Sequence, residues 1–317
     1  MRTPLLLALA LAAAPALAQS FPTKNIRIVV PYPAGGSADL MARDIAHGLN
    51  RSYSPSVLVE NRPGAGGHLG GEQVAKAVPD GHTLMLGTIS HHGAFKMYKT
   101  LRYNPAADLQ TVSLIAESFN VLMVREALPV KSVAELVAMA RAEPGKLTYA
   151  SAGSGSATHM AAELFKYMAK VDMLGIPFKG GAPAQIAMLG GQVDVNFETA
   201  STALAAIRSG KVRALAVTLP ARSPSFPDLP AIAEAGVPGY AAVPWYTISG
   251  PKGIPAAIVQ KLNADINAAL KSPELSKRWD GLGLIPLGTT PEEAARRNET
   301  EVKRWSAVIE AARIQVE

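Results

Sequence analysis

Residues 26–41 of the chain read IRIVVPYPAGGSADLM, and this stretch predicts a buried strand, a glycine-rich turn and the start of a helix. Ile26 to Val30 is almost continuously apolar, as is typical of a strand that is buried on both faces. The prolines and glycines that follow cannot continue a strand, and Ser37 is a suitable N-cap for a helix. Met41 and Ile45 then fall on one helical stripe, which indicates a helix that packs back onto the sheet.

The same strand, turn and helix unit recurs further along the chain. Leu147 to Ala150 leads into the turn Ser151 to Ser156, and Ile176 to Phe178 leads into Lys179-Gly180-Gly181. The other predicted strands are Val57 to Val59, Thr83 to Leu86, Val193 to Phe197 and Arg213 to Thr218. Alternating strands and helices of this kind predict an α/β fold with largely parallel sheets.

The composition is that of an ordered globular protein. Hydrophobic residues make up 48% of the 317 residues and charged residues 18%, which excludes a disordered chain. The formal net charge is +6, but Lys and Arg are scattered, so the charge predicts no nucleic-acid binding. The chain contains no cysteine, so disulfides do not contribute to its stability.

Residues 1–18 have the features of a secretory signal peptide. Arg2 supplies a positive start, Leu5 to Leu11 is apolar, and Ala16-Leu17-Ala18 has the small residues that signal peptidase requires. Cleavage is expected after Ala18. The apolar run is short for a membrane span, so we expect a soluble chain exported to the periplasm. The chain from residue 19 onwards is long enough for one large or two medium domains.

Three of the predicted strands end in glycine-rich turns that open helices. In open α/β sheets, ligands bind beyond the carboxyl ends of the strands. The start of a helix offers free N–H groups and a partial positive charge, which suit a carboxylate, phosphate or sulfate. The sequence therefore predicts an anion site built mainly from backbone donors.

A series of segments resembles, in the same order, the Bug-type solute receptors of tripartite tricarboxylate transporters. The segments are YPAGGSAD at 32–39, VENRPGAGG at 59–67, PDGHTL at 79–84, YASAGSGS at 149–156, PFKGGAPA at 177–184 and LGGQVD at 189–194. Each segment alone is modest, but together they cover nearly the whole of the chain after residue 18.

The resemblance implies a two-domain α/β periplasmic binding protein of type II, with two crossovers, that closes on its ligand like a flytrap. Residues 19–122 and 245–317 are expected to form domain I, and residues 123–244 domain II. The resemblance further implies that the ligand is a small organic carboxylate, such as a dicarboxylate, tricarboxylate, acidic amino acid or aromatic acid. The partner would be a membrane permease of the same transporter type. We expect a monomer with no cofactor, no metal and no catalytic activity.

The resemblance also implies which residues contact the ligand. In the first domain they are Tyr32, Ala34, Gly35, Ser37 and Asp39. In the second domain they are Ser154, Ser156, His159, Gly181 and Ala182. The sequence departs from the family in three places. Two of them add Ser90, beside the histidine pair His91 and His92, and Glu198, where many members carry a shorter acid; the third is Pro244-Trp245-Tyr246, near the expected return crossover.

Several of these residues have an ordinary structural interpretation as well. Asp39 would stabilise any helix N-terminus, and Glu198 could be a solvated strand end, since it would repel an anion unless it meets an amino or hydroxyl group. His159 and Glu163 are four residues apart, as in some metal sites, but no third ligand is evident. A rim or structural role is favoured for His91 and His92.

Two other functional classes remain as alternatives. A secreted serine hydrolase would use Ser154 or Ser156 with His159, although the sequence lacks a nucleophile elbow around these serines. A structural or scaffolding protein would bind no carboxylate at all. The glycines at 64–70 come close to a dinucleotide fingerprint, but the last one is a position late.

Overall fold

The computed structural model describes residues 21–315. The predicted signal peptide and its cleavage point after Ala18 lie outside the described residues. Between residues 21 and 315, no helix combines the length and the apolar character needed to cross a membrane.

Strands and helices alternate along most of the chain. In chain order the strands are β1 (Ile26–Val30), β2 (Val57–Asn61), β3 (Thr83–Gly87), β4 (Leu109–Glu117), β5 (Asn120–Arg125), β6 (Thr148–Ser151), β7 (Leu174–Pro177), β8 (Val195–Thr199), β9 (Val212–Val217), β10 (Trp245–Pro251) and β11 (Ile285–Pro286). The helices are α1 (Ser37–Leu49), α2 (His68–Ala75), α3 (Ile89–His92), α4 (Pro105–Asp108), α5 (Val133–Ala142), α6 (Ala157–Ala169), α7 (Gly181–Leu189), α8 (Ala200–Arg208), α9 (Ala256–Leu270), α10 (Pro273–Asp280) and α11 (Pro291–Ala311). Short 3₁₀ helices lie at Ala65–Gly67 and Phe95–Met97.

Two sheets define two lobes. Within residues 21–315, the first lobe has a six-stranded sheet in the order β11-β4-β10-β3-β1-β2, and the second lobe a five-stranded sheet in the order β7-β6-β8-β5-β9. The chain passes from the first sheet to the second between β4 and β5, and returns where β10 begins. The predicted α/β fold with two lobes and two crossovers is thereby confirmed.

The two passages suggest where the domains meet. β5 pairs with β8 and β9 from Asn120 onwards, so we propose residues 118–119, a few residues before 122, as the first boundary. The second passage ends at Trp245, the first residue of β10, which we propose as the second boundary.

The expectation of largely parallel sheets is wrong for β5 and β10, the strands through which the chain enters each sheet from the other lobe. β10 runs antiparallel to β3 and β4, and β5 runs antiparallel to β8 and β9. The pairs β1–β2, β1–β3, β6–β7 and β6–β8 are parallel. The parallel strands point their carboxyl ends towards the other lobe. A strand that enters its sheet directly from the other lobe must therefore run in the opposite direction.

The helix predicted after β1 packs as its apolar stripe requires. Met41, Ile45 and Leu49 are all buried and share one core cluster with Ile28 of β1 and Leu262 of α9. Burial on both faces explains the continuous apolar run of β1, whose strand bounds match the prediction. The turn between β1 and α1 is therefore held firmly at the end of a rigid strand.

Candidate functional site

A cavity, partly open to solvent, lies between the two lobes. From the first lobe and the return passage it is lined by Tyr32, Pro33, Gly36, Ser37, Ala38, Thr88, Ile89, Pro244, Trp245 and Tyr246. From the second lobe it is lined by Ala152, Ser156, Ala157, Thr158, Gly181, Glu198, Thr199 and Thr202. A cleft formed by two lobes at the carboxyl ends of their parallel strands is the usual place for a ligand in open α/β sheets.

Besides the short helix α3, whose first residue Ile89 also lines it, three helices begin at the wall of this cavity. The first residues of α1, α6 and α7 are Ser37, Ala157 and Gly181, and all three line it. The first N–H groups of a helix have no partner within the helix, and the helix dipole makes this end partly positive. The three glycine-rich turns of the sequence thus come together in one place. The cavity is suited to an anion, which backbone N–H groups would hold.

The structure brings together some of the predicted site residues and separates others. Those that line the cavity are Tyr32, Ser37, Ser156, Gly181 and Glu198. Those that do not are Ala34, Gly35, Asp39, Ser90, Ser154, His159 and Ala182. Ala34 and Gly35 are exposed to solvent. Ser37 was expected at the N-cap, but Gly36 occupies that position and Ser37 is the first residue of α1.

Asp39 is buried and fixes the first turn. Its Oδ2 accepts hydrogen bonds from the Gly35 N–H at 3.1 Å and from Arg43 Nε at 3.0 Å, and its Oδ1 accepts one from Asn61 Nδ2 at 2.9 Å. Burial opposes ionisation, but these hydrogen bonds outweigh it and hold the pKa of Asp39 below its usual range. The structural interpretation of Asp39 therefore accounts for all its contacts.

The side chains of Ser156 and His159 in the second lobe make hydrogen bonds with backbone N–H groups and with the Thr158 hydroxyl. Ser156 Oγ caps α6 by accepting a hydrogen bond from the His159 N–H at 3.3 Å. His159 Nδ1 accepts one from the Gly155 N–H at 3.2 Å. Between residues 21 and 315, neither the Ser154 nor the Ser156 hydroxyl is hydrogen-bonded to the imidazole of His159. In that same range, no group of three or more His, Cys, Asp or Glu side chains is arranged to hold a metal ion.

Ser90 and the histidine pair form a buried polar network behind the cavity. Ser90 Oγ donates to the Gly66 carbonyl oxygen at 2.8 Å. His91 Nδ1 accepts from the Thr88 N–H at 3.3 Å, and its Nε2 lies 3.2 Å from the Gly67 carbonyl oxygen, to which it must donate. His92 Nε2 lies 3.1 Å from Ser249 Oγ. The two histidines thus support the wall of the cavity without lining it.

Acid is expected to destabilise the protein through these histidines. Burial lowers the pKa of His91 to about 4 and that of His92 to about 3, and burial together with the His91 charge lowers that of His68 to about 2. In the unfolded chain their pKa is about 6.5, so the free energy of unfolding should decrease as the pH falls below 6.5. Each histidine contributes up to about 1.4 kcal/mol per pH unit.

Denaturant titrations at pH 7, 5.5 and 4.5 measure this effect. His92→Gln should reduce the slope of unfolding free energy against pH. Equal slopes in the wild type and His92→Gln would contradict the expectation.

Several cavity residues were not among the predicted ones. Four of them carry hydroxyl groups at the start of helices: Thr88 precedes α3, Thr158 is the second residue of α6, Thr199 precedes α8, and Thr202 is its third. A threonine within the first turn after a strand is a signal that the sequence offers. Trp245 and Tyr246, in contrast, reach the cavity only because β10 returns through the hinge between the lobes.

The aromatic residues of the cavity are neutral hydrogen-bonding groups. The hydroxyl of Tyr32 lies 3.1 Å from Thr88 Oγ1, and burial raises the pKa of Tyr32 despite this hydrogen bond. Burial likewise raises the pKa of Tyr246. Trp245 Nε1 donates to Asn298 Oδ1 on α11 at 3.2 Å, which fixes the indole at the cavity wall. Of the described residues that line the cavity, none is Lys, Arg or His.

Glu198 is the acidic residue of the cavity wall. Only 3% of its surface is exposed. Its Oε2 accepts a hydrogen bond from Asn196 Nδ2 at 2.9 Å, and its Oε1 accepts from the Thr199 N–H and the Thr202 hydroxyl. Burial outweighs these hydrogen bonds and raises the pKa of Glu198 to about 7. The alternative of a solvated strand end is wrong, because the Glu198 side chain is buried.

The lobes touch on both sides of the cavity. Ser37 Oγ lies 2.6 Å from Ser201 Oγ of the second lobe. Tyr98 of the first lobe donates its hydroxyl to the Ser154 carbonyl oxygen at 2.5 Å. Gly66 lies against the same carbonyl, so closely that a Cβ at this position would overlap with it. The structure is therefore a closed arrangement of the two lobes.

Comparison with known proteins identifies relatives over most of the chain. A family model described as "Tripartite tricarboxylate transporter family receptor" matches residues 41–314. A solved R. palustris protein with adipate is 38% identical, with a TM-score of 0.89, and the alignment covers 92% of this chain and 98% of that one. The periplasmic binding protein BugD is 32% identical, with a TM-score of 0.89, over 94% of this chain and 100% of its own.

A further solved structure carries another small ligand. The protein MatC from Rhodopseudomonas palustris, determined with bound malate, is 35% identical with a TM-score of 0.87. The alignment covers 91% of this chain and 100% of MatC. Adipate and malate are both small dicarboxylates, and each belongs to a relative whose whole length this chain matches.

Proposed function

Because this chain belongs to the tripartite tricarboxylate transporter receptor family, we propose that it is a periplasmic receptor that captures a small dicarboxylate between its lobes. The observation that carries the proposal is the convergence of the first residues of α1, α6 and α7 on one cavity. The described lining residues include no cationic side chain, so the carboxylate would be held by backbone N–H groups, hydroxyls and water. The relatives with adipate and malate support this class of ligand.

Ligand binding is proposed to work through closure. Each lobe provides part of the cavity wall, so the site is complete only when the lobes meet. A ligand that contacts both lobes binds the closed form more tightly than the open form and shifts the equilibrium towards closure. The contacts of Ser37 with Ser201 and of Tyr98 with Ser154 would form in the same step.

A carboxylate panel tests the proposal. Adipate, malate, succinate, citrate, glutamate and benzoate are each added to the protein, and melting is followed by intrinsic fluorescence. At a concentration about a hundred times its Kd, a true ligand stabilises the folded state by about 2.7 kcal/mol, which raises Tm by several degrees. Because Trp245 lines the cavity, the same ligand should change the emission of the folded protein.

The matched control is adipamide, which has the shape of adipate without its charge. Adipamide should give no shift where adipate gives one. A panel in which no carboxylate raises Tm would favour a scaffolding role and contradict the receptor proposal.

We propose that the protein has no catalytic role. The second candidate, a serine hydrolase, finds no support in the contacts of Ser156 and His159. The Ser156 hydroxyl is hydrogen-bonded to the His159 N–H and the Thr158 hydroxyl, and the His159 imidazole to the Gly155 N–H. Ester turnover that disappears in Ser156→Ala would favour the hydrolase instead. We further propose that the receptor acts as a monomer after removal of residues 1–18, and delivers its ligand to a tripartite membrane permease.

A further inference from the structure

Glu198 places an acidic group where an anionic ligand must approach. Its side chain lines the cavity, although only 3% of the residue is exposed. A Cβ built at Gly181, the first residue of α7, would lie 3.9 Å from Glu198 Oε1. The carboxyl group is therefore beside one of the three helix starts that suit the ligand carboxylate.

The hydrogen-bond partners of Glu198 are all neutral. The carboxyl accepts from the Asn196 side chain, the Thr199 N–H and the Thr202 hydroxyl. An ionised carboxyl can accept about four hydrogen bonds, so it has room for one more partner. Burial raises its pKa against the opposing effect of these three donors, and no cation is among its partners.

The charged groups of the surrounding elements are paired or do not line the cavity. On α6, Glu163 is bonded to Lys166 and to Tyr149 of β6, and His159 accepts from backbone. On β5, Arg125 forms an ion pair with Asp194. Helix α7 has no charged residue, and Arg208 lies in the last turn of α8. The titratable groups that share the cavity wall with Glu198 are Tyr32 and Tyr246, both of raised pKa.

Two carboxylates cannot both be ionised at close range in such a site. Their repulsion is strong where water is excluded, and no cation among the described lining residues offsets it. The repulsion disappears when one of the two takes up a proton, as in pairs of acidic groups that share one proton. A neutral Glu198 could also donate a hydrogen bond to the ligand, whereas an ionised one can only accept.

This inference rests on the proposed function. We propose that Glu198 binds the ligand as a neutral acid, so that capture of one carboxylate ligand is coupled to the uptake of up to one proton from solvent. The proton joins the Glu198 carboxylate, and the resulting O–H donates to an oxygen of the ligand. The pKa of Glu198 is about 7 in the empty protein, so part of the protein already carries this proton at neutral pH and less than one proton is taken up per ligand. About 1.5 pH units higher, the uptake would be nearly one proton per ligand.

The test measures affinity and proton uptake together. Titration calorimetry with adipate and with malate is run between about pH 6 and pH 8.5, in two buffers of different ionisation enthalpy. For the wild type, Kd should rise up to about tenfold per pH unit above pH 7, with uptake approaching one proton. Glu198→Gln is a neutral mimic of the protonated side chain. It should bind with little pH dependence, at least about tenfold more tightly than the wild type at the upper end of the pH range, and without proton uptake.

Glu163→Gln is the matched control, since it makes the same change in a carboxyl of the second lobe that does not line the cavity. Its pH profile should follow that of the wild type. Identical profiles in the wild type and Glu198→Gln would overturn the inference. The inference would also be overturned if Glu198→Gln lost glutamate binding and the wild type took up no proton. Glu198 would then pair with the ammonium group of the ligand. If no carboxylate binds any variant, the proposed function itself fails and this inference with it.

Discussion

Replacing Gly66 with alanine is expected to weaken ligand binding at least about a hundredfold, which corresponds to about 2.8 kcal/mol. A Cβ at Gly66 would overlap with the Tyr98 hydroxyl in the same lobe and with the Ser154 carbonyl oxygen in the other lobe. The tyrosine hydroxyl is the end of a flexible side chain and can move aside. The carbonyl is backbone, so the second lobe must retreat and the closed form becomes inaccessible. Calorimetry gives the affinity, and small-angle scattering shows whether the ligand still makes the molecule more compact.

Gly210→Ala controls for backbone strain in this experiment. Gly66 and Gly210 both have a left-handed backbone, with φ of 62° and 69°, but a Cβ at Gly210 meets no atom within 4 Å. Both alanine variants should therefore lose about 1–2 kcal/mol of stability, and only Gly66→Ala should lose binding. The double variant Gly66→Ala with Tyr98→Phe removes the clash with the hydroxyl and leaves the one with Ser154. Restored binding in the double variant would show that Tyr98, and not closure, limits the single variant.

Replacing Gly181 with valine is expected to weaken binding at least about tenfold, or about 1.4 kcal/mol, with little loss of stability. Gly181 is the first residue of α7 and lines the cavity. A Cβ at this position has ordinary contact distance to Glu198 Oε1, so the folded protein accommodates it. The two methyl groups of valine would then occupy the space through which a carboxylate reaches the start of α7. Gly181→Ala should give an intermediate loss.

Gly281→Val is the control for this series. Gly281 ends α10 with a right-handed backbone, and its Cβ would lie 3.6 Å from the Arg278 carbonyl oxygen, outside the cavity. Its affinity should equal that of the wild type. Unchanged affinity in Gly181→Val, measured by calorimetry with the best ligand of the panel, would mean that the start of α7 is not part of the site.

The strands with a strong local signal could be predicted from the sequence. β1 is predicted with its observed bounds, and β2, β3, β6, β7, β8 and β9 within two residues at each end. β4, β5 and β10 are not predicted. Each carries polar residues in buried positions, such as Ser113, Asn120 and Ser249, whose hydrogen bonds come from distant parts of the chain. Such partners depend on how the lobes are connected, which local patterns do not reveal.

The sequence predicts the kind of site better than it predicts which side chains line the cavity. Glycine-rich turns at the ends of strands predict that three helix starts converge, and they do. Which residues of each turn face the cavity depends on the exact direction of the backbone. Ala34 points to solvent for this reason, while Gly36, two residues later, lines the cavity. The resemblance places Trp245 and Tyr246 near the return crossover but does not include them among the site residues, although both line the cavity.

The central position of β10 in the first sheet sets the order in which the lobes can assemble. β3 and β4 both pair with β10 and not with each other, so each has an unsatisfied edge until residues 245–251 are available. The strands of the second sheet, in contrast, all lie between residues 120 and 217. Because the chain is synthesised from its N-terminus, the strands of the second sheet can all pair before β10 is available. The strands of the first lobe are made earlier, but β3 and β4 keep exposed edges until then. Exposed strand edges can pair with other chains. The protein therefore depends most on a chaperone in the time before β10 pairs with β3 and β4.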